Sequence, residues 1–202
     1  MNTEHTETSV ATVALARHGE TAFNADGRLR GLADPELNEV GEIQAQALGA
    51  DLARRKLGHH AIVVSSPLQR ARRTAAVMAA GFGVEVRVDE AFNDRDYGPW
   101  TGRQKNEVLA EYGSVDAAPG VEPVDSVVAR ARPTLERWTD HAAAQGSSLV
   151  VVTHDAVIRP LLADLGLTNE ALIAPPGSYQ LLHRARSRWN ADLFDQIPTL
   201  NS

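Results

Sequence analysis

Arg17, His18, Gly19, Glu20 and Thr21 stand together, with Asn24 three residues further on. A neutral imidazole is a good nucleophile toward phosphorus, and a neighbouring guanidinium can hold phosphate oxygens with two parallel hydrogen bonds. Gly19, next to the histidine, would let the backbone approach an anion closely. Arg70 follows Ser66-Pro67, a pair that reads as the N-cap and first residue of a helix whose positive end favours an anion. A second histidine, His154, could supply a further donor to oxygens that gain charge in phosphoryl transfer. Any one of these groups alone has a blander use, as a helix cap or a solvated charge. A phosphate pocket is expected only if the fold brings all of them together.

The elements needed to do so are legible as apolar runs and helical spacing. Thr12 to Ala16, Ala61 to Val64 and Leu149 to Thr153 read as buried strands, each running into a reactive stretch: Arg17-His18, Ser65-Ser66 with Arg70, and Thr153-His154. Val84 to Val88 alternates apolar with charged residues, which places it nearer a sheet edge. Helices are expected from Asn38 to about Arg55 with Gly58 as stop, from Pro67 to Ala80 with Gly81 as stop, from Ser126 to Gln145 with a kink or break at Pro133, and from Ala156 to Leu165. Ser178 to His183 and Arg188 to Phe194 could close the fold as a hairpin. Strands alternating with helices imply an α/β fold: one three-layer domain, a mostly parallel sheet with helices on both faces. Such sheets bind ligands beyond the carboxyl ends of their strands. Residues 1 to 10 are polar and read as a flexible tail, leaving residues 11 to 202 as the folded domain.

Composition narrows the chemistry. The 202 residues suit one domain, and 43% hydrophobic with 23% charged residues is ordinary for a globular chain. Zero cysteines exclude disulfides, thiolate metal sites and a cysteine nucleophile. The net charge of -6 argues against a nucleic-acid partner, and an anion site must therefore be local. No apolar run approaches the ~20 residues of a membrane helix, and the first residues lack a signal peptide's features, so the expectation is a cytoplasmic protein without a membrane partner. No HExxH helix, GxSxG elbow or dinucleotide-binding glycine pattern is present. Neither a metal nor a cofactor is expected.

LARHGETAFN, SSPLQRARRTA and VVVTHDAVIR resemble, in order, the three signature segments of the histidine phosphatase superfamily, in the branch that holds cofactor-dependent phosphoglycerate mutases and small-molecule phosphatases. FNDRDYGPWTG is similar to that branch's acid-donor loop, and the likeness runs from Val10 to about Ala163. The resemblance implies a metal-independent phosphatase with His18 as the nucleophile that becomes phosphohistidine. It makes Arg17, Asn24, Arg70 and His154 the groups that bind the phosphoryl oxygens, and Asp94 the general acid. Two departures stand out. Asp94 occupies a position usually held by glutamate, and Asp155 one usually held by glycine; the other branch of the superfamily keeps its proton donor there, so Asp155 is a rival acid.

The implied function is hydrolysis of a phosphomonoester of a small metabolite. A mutase is the first alternative, since NDRDYG keeps an arginine and a tyrosine that resemble the mutase loop. Against it, the lid from Gln104 to Pro123 offers one base, Lys105, beside Glu107, Glu111, Asp116 and Glu122. A binding module that has lost catalysis is the second alternative. Tyr97 and Trp100 read chiefly as packing, and Arg28 and Arg30 chiefly as surface charges flanking the entrance. Oligomeric state is left open, with a homodimer as one candidate.

Overall fold

The computed structural model describes residues 10–58, 60–167 and 171–200. Its strands are β1 (Val10–Arg17), β2 (Ile62–Ser65), β3 (Val86–Val88), β4 (Leu149–Thr153), β5 (Tyr179–Ala185) and β6 (Arg188–Gln196). Its helices are α1 (Ala22–Ala25), α2 (Glu39–Arg54), α3 (Gln69–Phe82), α4 (Lys105–Tyr112), α5 (Val124–Ala144) and α6 (Asp155–Asp164). The strands form one sheet in the order β3-β2-β4-β1-β5-β6. The first four run parallel, and β5 and β6 close one edge antiparallel.

Alternation along the strands builds two cores. Val13, Leu15, Val64 and Val151 face α5 and α6, whereas Ala14, Ala16, Val63 and Val152 face α2 and α3. β4 is buried at all five positions because it lies mid-sheet with helices above and below, which explains its unbroken apolar run. A third, smaller cluster of Leu29, Tyr97, Val108 and Ala118 sits apart from the main sheet. It joins α4 to the loops around residues 29 and 97.

Several boundaries differ from expectation. Val10 belongs to β1, paired with Ala185, and the rest of the expected tail lies outside the described residues. α2 is capped by the Asn38 side chain, which accepts from the Gly41 N–H at 2.8 Å, and ends at Arg54, short of Gly58. α3 begins at Gln69, not Pro67, with Leu68 as its N-cap, while the Ser66 hydroxyl meets His154 and accepts from the Leu68 N–H. Its stop is Gly83 at φ 70°, a left-handed cap, while Gly81 remains helical. Pro133 neither ends nor splits α5, and residue 129, whose carbonyl loses its helical partner, is exposed to water. The helix α4 was not foreseen, and the long loop after β3 contains two short 3-10 turns, Glu90–Phe92 and Gly98–Trp100. The closing hairpin is present, β5 against β6.

One polar lock ties α2 to β5. The Asp51 carboxylate accepts from the Tyr179 hydroxyl at 2.5 Å and from Arg54 and Arg55 at 3.0 Å each. Burial pushes that carboxyl up, but the hydrogen bonds from Tyr179 and Arg55 outweigh it and hold the group below its ordinary value. A folded pKa below the unfolded one gives stability that is present above the ordinary carboxylate range and lost as pH falls through the folded value. Asp51→Ala leaves the Tyr179 hydroxyl without its acceptor and should cost about 2 kcal/mol. In a chain of this size that is a Tm drop of about 4–8 °C. Calorimetric scans should show this gap at neutral pH and its narrowing in acid; an equal Tm at neutral pH would refute the lock.

Candidate active site

β2, β4 and β1 are neighbours, so their carboxyl ends deliver Ser65-Ser66, Thr153-His154 and Arg17-His18 to one edge. Cross-strand bonds lock the ends together: the His18 N–H donates to the Thr153 carbonyl and the Ser66 N–H to the Val152 carbonyl, both at 3.0 Å. His18, Arg70, Asp94 and His154 are buried to 1% exposure or less. The two imidazole centroids lie 5.1 Å apart.

The backbone decides which nitrogen of His18 is free. Nδ1 sits 2.6 Å from the Gly19 carbonyl, and a carbonyl can only accept, so Nδ1 carries the proton. Nε2 therefore keeps its lone pair, toward which Arg70 Nε donates at 3.3 Å. Burial, with Arg70 and Arg17 nearby, holds His18 well below the ordinary imidazole pKa and hence neutral. His154 is held down likewise, first by burial and then by Arg70. Gly19 has a use other than the expected approach to an anion. A Cβ there would collide with the Gly41 carbonyl, and one on Gly41 would strike the Glu20 backbone. The two glycines let α2 press against the loop, while Gly19 N–H donates to Thr74 Oγ1 at 3.0 Å.

Arg70 lies at the centre. Its guanidinium donates to Asp94 Oδ2 at 2.8 Å, to the Gly31 carbonyl at 2.9 Å and to the Ala33 carbonyl at 2.7 Å. Burial raises the Asp94 carboxyl above its ordinary pKa against the opposing pull of Arg70 and Arg30. His154 places Nε2 at 2.8 Å from Ser66 Oγ and Nδ1 at 3.6 Å from Asp94 Oδ2. Asn24 Oδ1 accepts from the Thr21 N–H and hydroxyl in a capping box at α1, and Asn24 also lines the cleft above.

Arg17 and Arg30 meet Asp155, whose Oδ1 lies 3.2 Å from Arg17 and 2.8 Å from Arg30. Arg30 is thus a largely enclosed member of the site, its side chain 12% exposed, rather than a solvated surface charge; nothing local in the sequence distinguished it from Arg28. Asp155 does not cap α6: His154 occupies the N-cap, and the carboxylate turns to the two guanidiniums. Burial would raise Asp155, but Arg17 and Arg30 hold it down at about 2. It has no proton to give at neutral pH. Arg17 Nε, Arg30 Nε and His154 Nδ1 are buried and have no hydrogen-bond partner among the described residues. Buried N–H groups left unpaired are costly unless a ligand completes them, and the Nε–H groups of Arg17 and Arg30 are of that kind.

The acid-donor loop is clamped from two sides. Thr153 Oγ1 donates to the Phe92 carbonyl at 2.7 Å, and Arg130 on α5 donates to the carbonyls of Ala91, Asn93 and Asp94 at 2.8 to 3.0 Å. Glu122 pairs with Arg130, Glu107 with Arg103, and Glu111 accepts from the Tyr112 hydroxyl. Of the lid's four acids only Asp116 lines the cleft, joined to Arg95. The cleft, about 900 Å³, is lined by the lid's Lys105 and takes bases from other segments as well, including Arg28 and Arg159. The acidic lid of the sequence is therefore not an acidic cleft. Tyr97 is buried and borders the cleft; Trp100 packs edge-on against Tyr112.

Fold and site together define an enzyme of small-molecule phosphoryl transfer. The sequence pattern of the histidine phosphatase superfamily, branch 1, matches residues 13–196, and the chain belongs to that superfamily. It is 34% identical over 174 residues to a 2,3-bisphosphoglycerate-dependent phosphoglycerate mutase of Methylobacterium sp. (strain 4-46), covering 79% of this chain and 83% of that one. It is 28% identical over 208 residues to a metal-independent phosphoserine phosphatase of Arabidopsis thaliana, covering 97% and 86%. Among solved structures, a mycobacterial glucosyl-3-phosphoglycerate phosphatase in complex with vanadate superposes with a TM-score of 0.78 at 27% identity, covering 92% of this chain and 98% of that one. Among the described residues no helix is long and apolar enough to cross a membrane.

Arg130 is a residue the sequence did not single out, and its clamp makes a prediction. Arg130→Met should loosen the loop that carries Asp94 and slow turnover of an alkyl phosphate on the order of tenfold, because small misplacements of a catalytic group are costly. Vanadate affinity should change little. Equal loss on alkyl and activated aryl phosphates would mean that the clamp serves stability alone.

Proposed function

We propose that the chain hydrolyses phosphomonoesters of small metabolites in two steps, through a phosphohistidine on His18. The observation that carries this reading is the fixed tautomer: Nδ1–H is spent on the Gly19 carbonyl, and a neutral ring presents the Nε2 lone pair. In the first step Nε2 bonds to phosphorus, the ester P–O bond breaks, and Asp94 gives its proton to the departing alkoxide. In the second, Asp94 as carboxylate takes a proton from water while the oxygen bonds to phosphorus and the P–N bond breaks. The unpaired N–H groups of Arg17 and Arg30, with Arg70, His154 and Asn24, hold the oxygens that gain charge. Asp94 is the acid because burial favours its proton, whereas Asp155 sits charged between two arginines. No step calls on a metal or cofactor.

The mutase alternative draws support from the cleft's bases Arg28, Lys105 and Arg159, which could bind a second anionic group. Asp116 and Asp155, both on the cleft wall, weigh against it, and hydrolysis is the reading adopted. A binding module without catalysis fits poorly with a nucleophile, an acid and their anion donors all in place. The folded unit, which includes Val10 at the start of β1, is the catalytic domain of a cytoplasmic protein without nucleic-acid or membrane partners, with a homodimer as one candidate assembly.

His18→Ala should abolish release of inorganic phosphate from p-nitrophenyl phosphate while leaving the fold intact by circular dichroism. Asp94→Asn should slow hydrolysis of an alkyl phosphate by about 10²-fold or more, yet an activated aryl phosphate by far less, since that leaving group departs without full protonation. The native enzyme loses activity as pH rises through the raised Asp94 pKa, and this limb should vanish in Asp94→Asn. Activity should survive a strong chelator, and 3-phosphoglycerate should not be efficiently isomerised. Undiminished activity in His18→Ala, or rapid isomerisation, would overturn the reading.

A further inference from the structure

Asp155 touches the anion-binding arginines of the site, yet the proposed chemistry gives it no task. It is not the acid and it does not cap α6. Its carboxylate nevertheless binds the terminal nitrogens of two arginines, at 2.8 Å to Arg30 and 3.2 Å to Arg17, on the wall of the cleft.

We infer that Asp155 is a resident counter-anion: it occupies Arg17 and Arg30 so that the site does not hold free phosphate too tightly after hydrolysis. This rests on the phosphatase reading and assigns the residue a positioning role rather than a catalytic one. Each arginine's donors are divided. Arg17 spends Nη1 on the Ala174 carbonyl at 2.7 Å and Nη2 on Asp155, which leaves Nε unpaired. Arg30 spends Nη2 on Asp155, and its Nε is unpaired in the same way. An entering phosphate therefore meets two guanidiniums whose Nη2 ends are already engaged by Asp155 and whose planes are already oriented, with both Nε N–H groups unpaired. Three positive charges, from Arg17, Arg30 and Arg70, surround the neutral histidines, and Asp155 offsets one of them whatever the state of Asp94. In a water-poor pocket an extra unit of positive charge strengthens the hold on every anion, product included. A product that leaves slowly limits turnover.

The same charge reaches the acid. Asp94 faces Arg70 from α3, His154 at the start of α6, Arg17 at the end of β1 and Arg30 from the segment before α2, with Tyr97 in its own loop. Asp155 opposes the arginines and helps keep the Asp94 proton in place. Asp155→Asn keeps an acceptor oxygen for the guanidiniums and removes only the charge.

The test is calorimetric titration of the full chain with inorganic phosphate and with orthovanadate at low ionic strength, comparing the native protein with Asp155→Asn, Asp155→Ser and Asp155→Glu. Both neutral variants should bind phosphate about tenfold or more tightly than native, and Asp155→Glu should stay near native. In turnover of p-nitrophenyl phosphate, kcat and KM should fall together in Asp155→Asn, and the basic limb of the pH profile should move to lower pH. Equal or weaker binding of phosphate by whichever neutral variant folds, or no binding by any of the proteins, overturns the proposal. The titration needs no turnover, so a native protein that binds phosphate but cleaves no ester would defeat the phosphatase reading while leaving this comparison decisive.

Discussion

A completely buried guanidinium, that of Arg70, is the constraint on which the site depends. Removing such a charge from water is expensive, and the cost is tolerable only when nearly every donor finds an acceptor. Here the acceptors are the His18 imidazole, the Asp94 carboxylate and the carbonyls of Gly31 and Ala33. These come from the loop after β1, the acid-donor loop and the segment before α2. One helical residue thus ties three loops together, and with them His18 and Asp94.

That arrangement sets the protonation states the chemistry needs. Arg70 is second only to burial in depressing the pKa of both histidines, so each imidazole is neutral before substrate arrives. Desolvation acts in the opposite sense on Asp94, where it favours the proton. A carboxylate in the same pocket, Asp155, stays ionised because two arginines grip it. Two carboxyl groups are thereby pushed in opposite directions by their neighbours, Asp94 toward its proton and Asp155 toward its charge. Burial is what gives these differences their size, since charge interactions weaken in contact with water.

The sheet supplies the rigidity. β1, β4 and β2 are hydrogen-bonded side by side, and α5 reinforces the acid-donor loop through Arg130. The cleft above is roofed by loops and α4, a smaller cluster with its own apolar contacts.

The chain's apolar runs and helical spacing were sufficient for the layers: β4 matches its expected span, and the three strands ending in Arg17, Ser65 and Thr153 were readable because buried parallel strands carry no polar face. Motif spacing likewise singled out His18, Arg70 and His154. What it could not reach were pairings across space. Arg30 and Arg28 look alike in the sequence, and only the packing of the first loop against α6 buries one on Asp155. The acids of the lid looked like a repulsive wall, yet most are turned to arginines or a tyrosine outside the cleft. Arg130 has no motif at all; its task is to satisfy carbonyls of a loop more than thirty residues away. Local pattern determines which face of an element is apolar. Partners for buried polar groups are chosen by desolvation in three dimensions, where a charge must be satisfied by whatever the fold brings within reach.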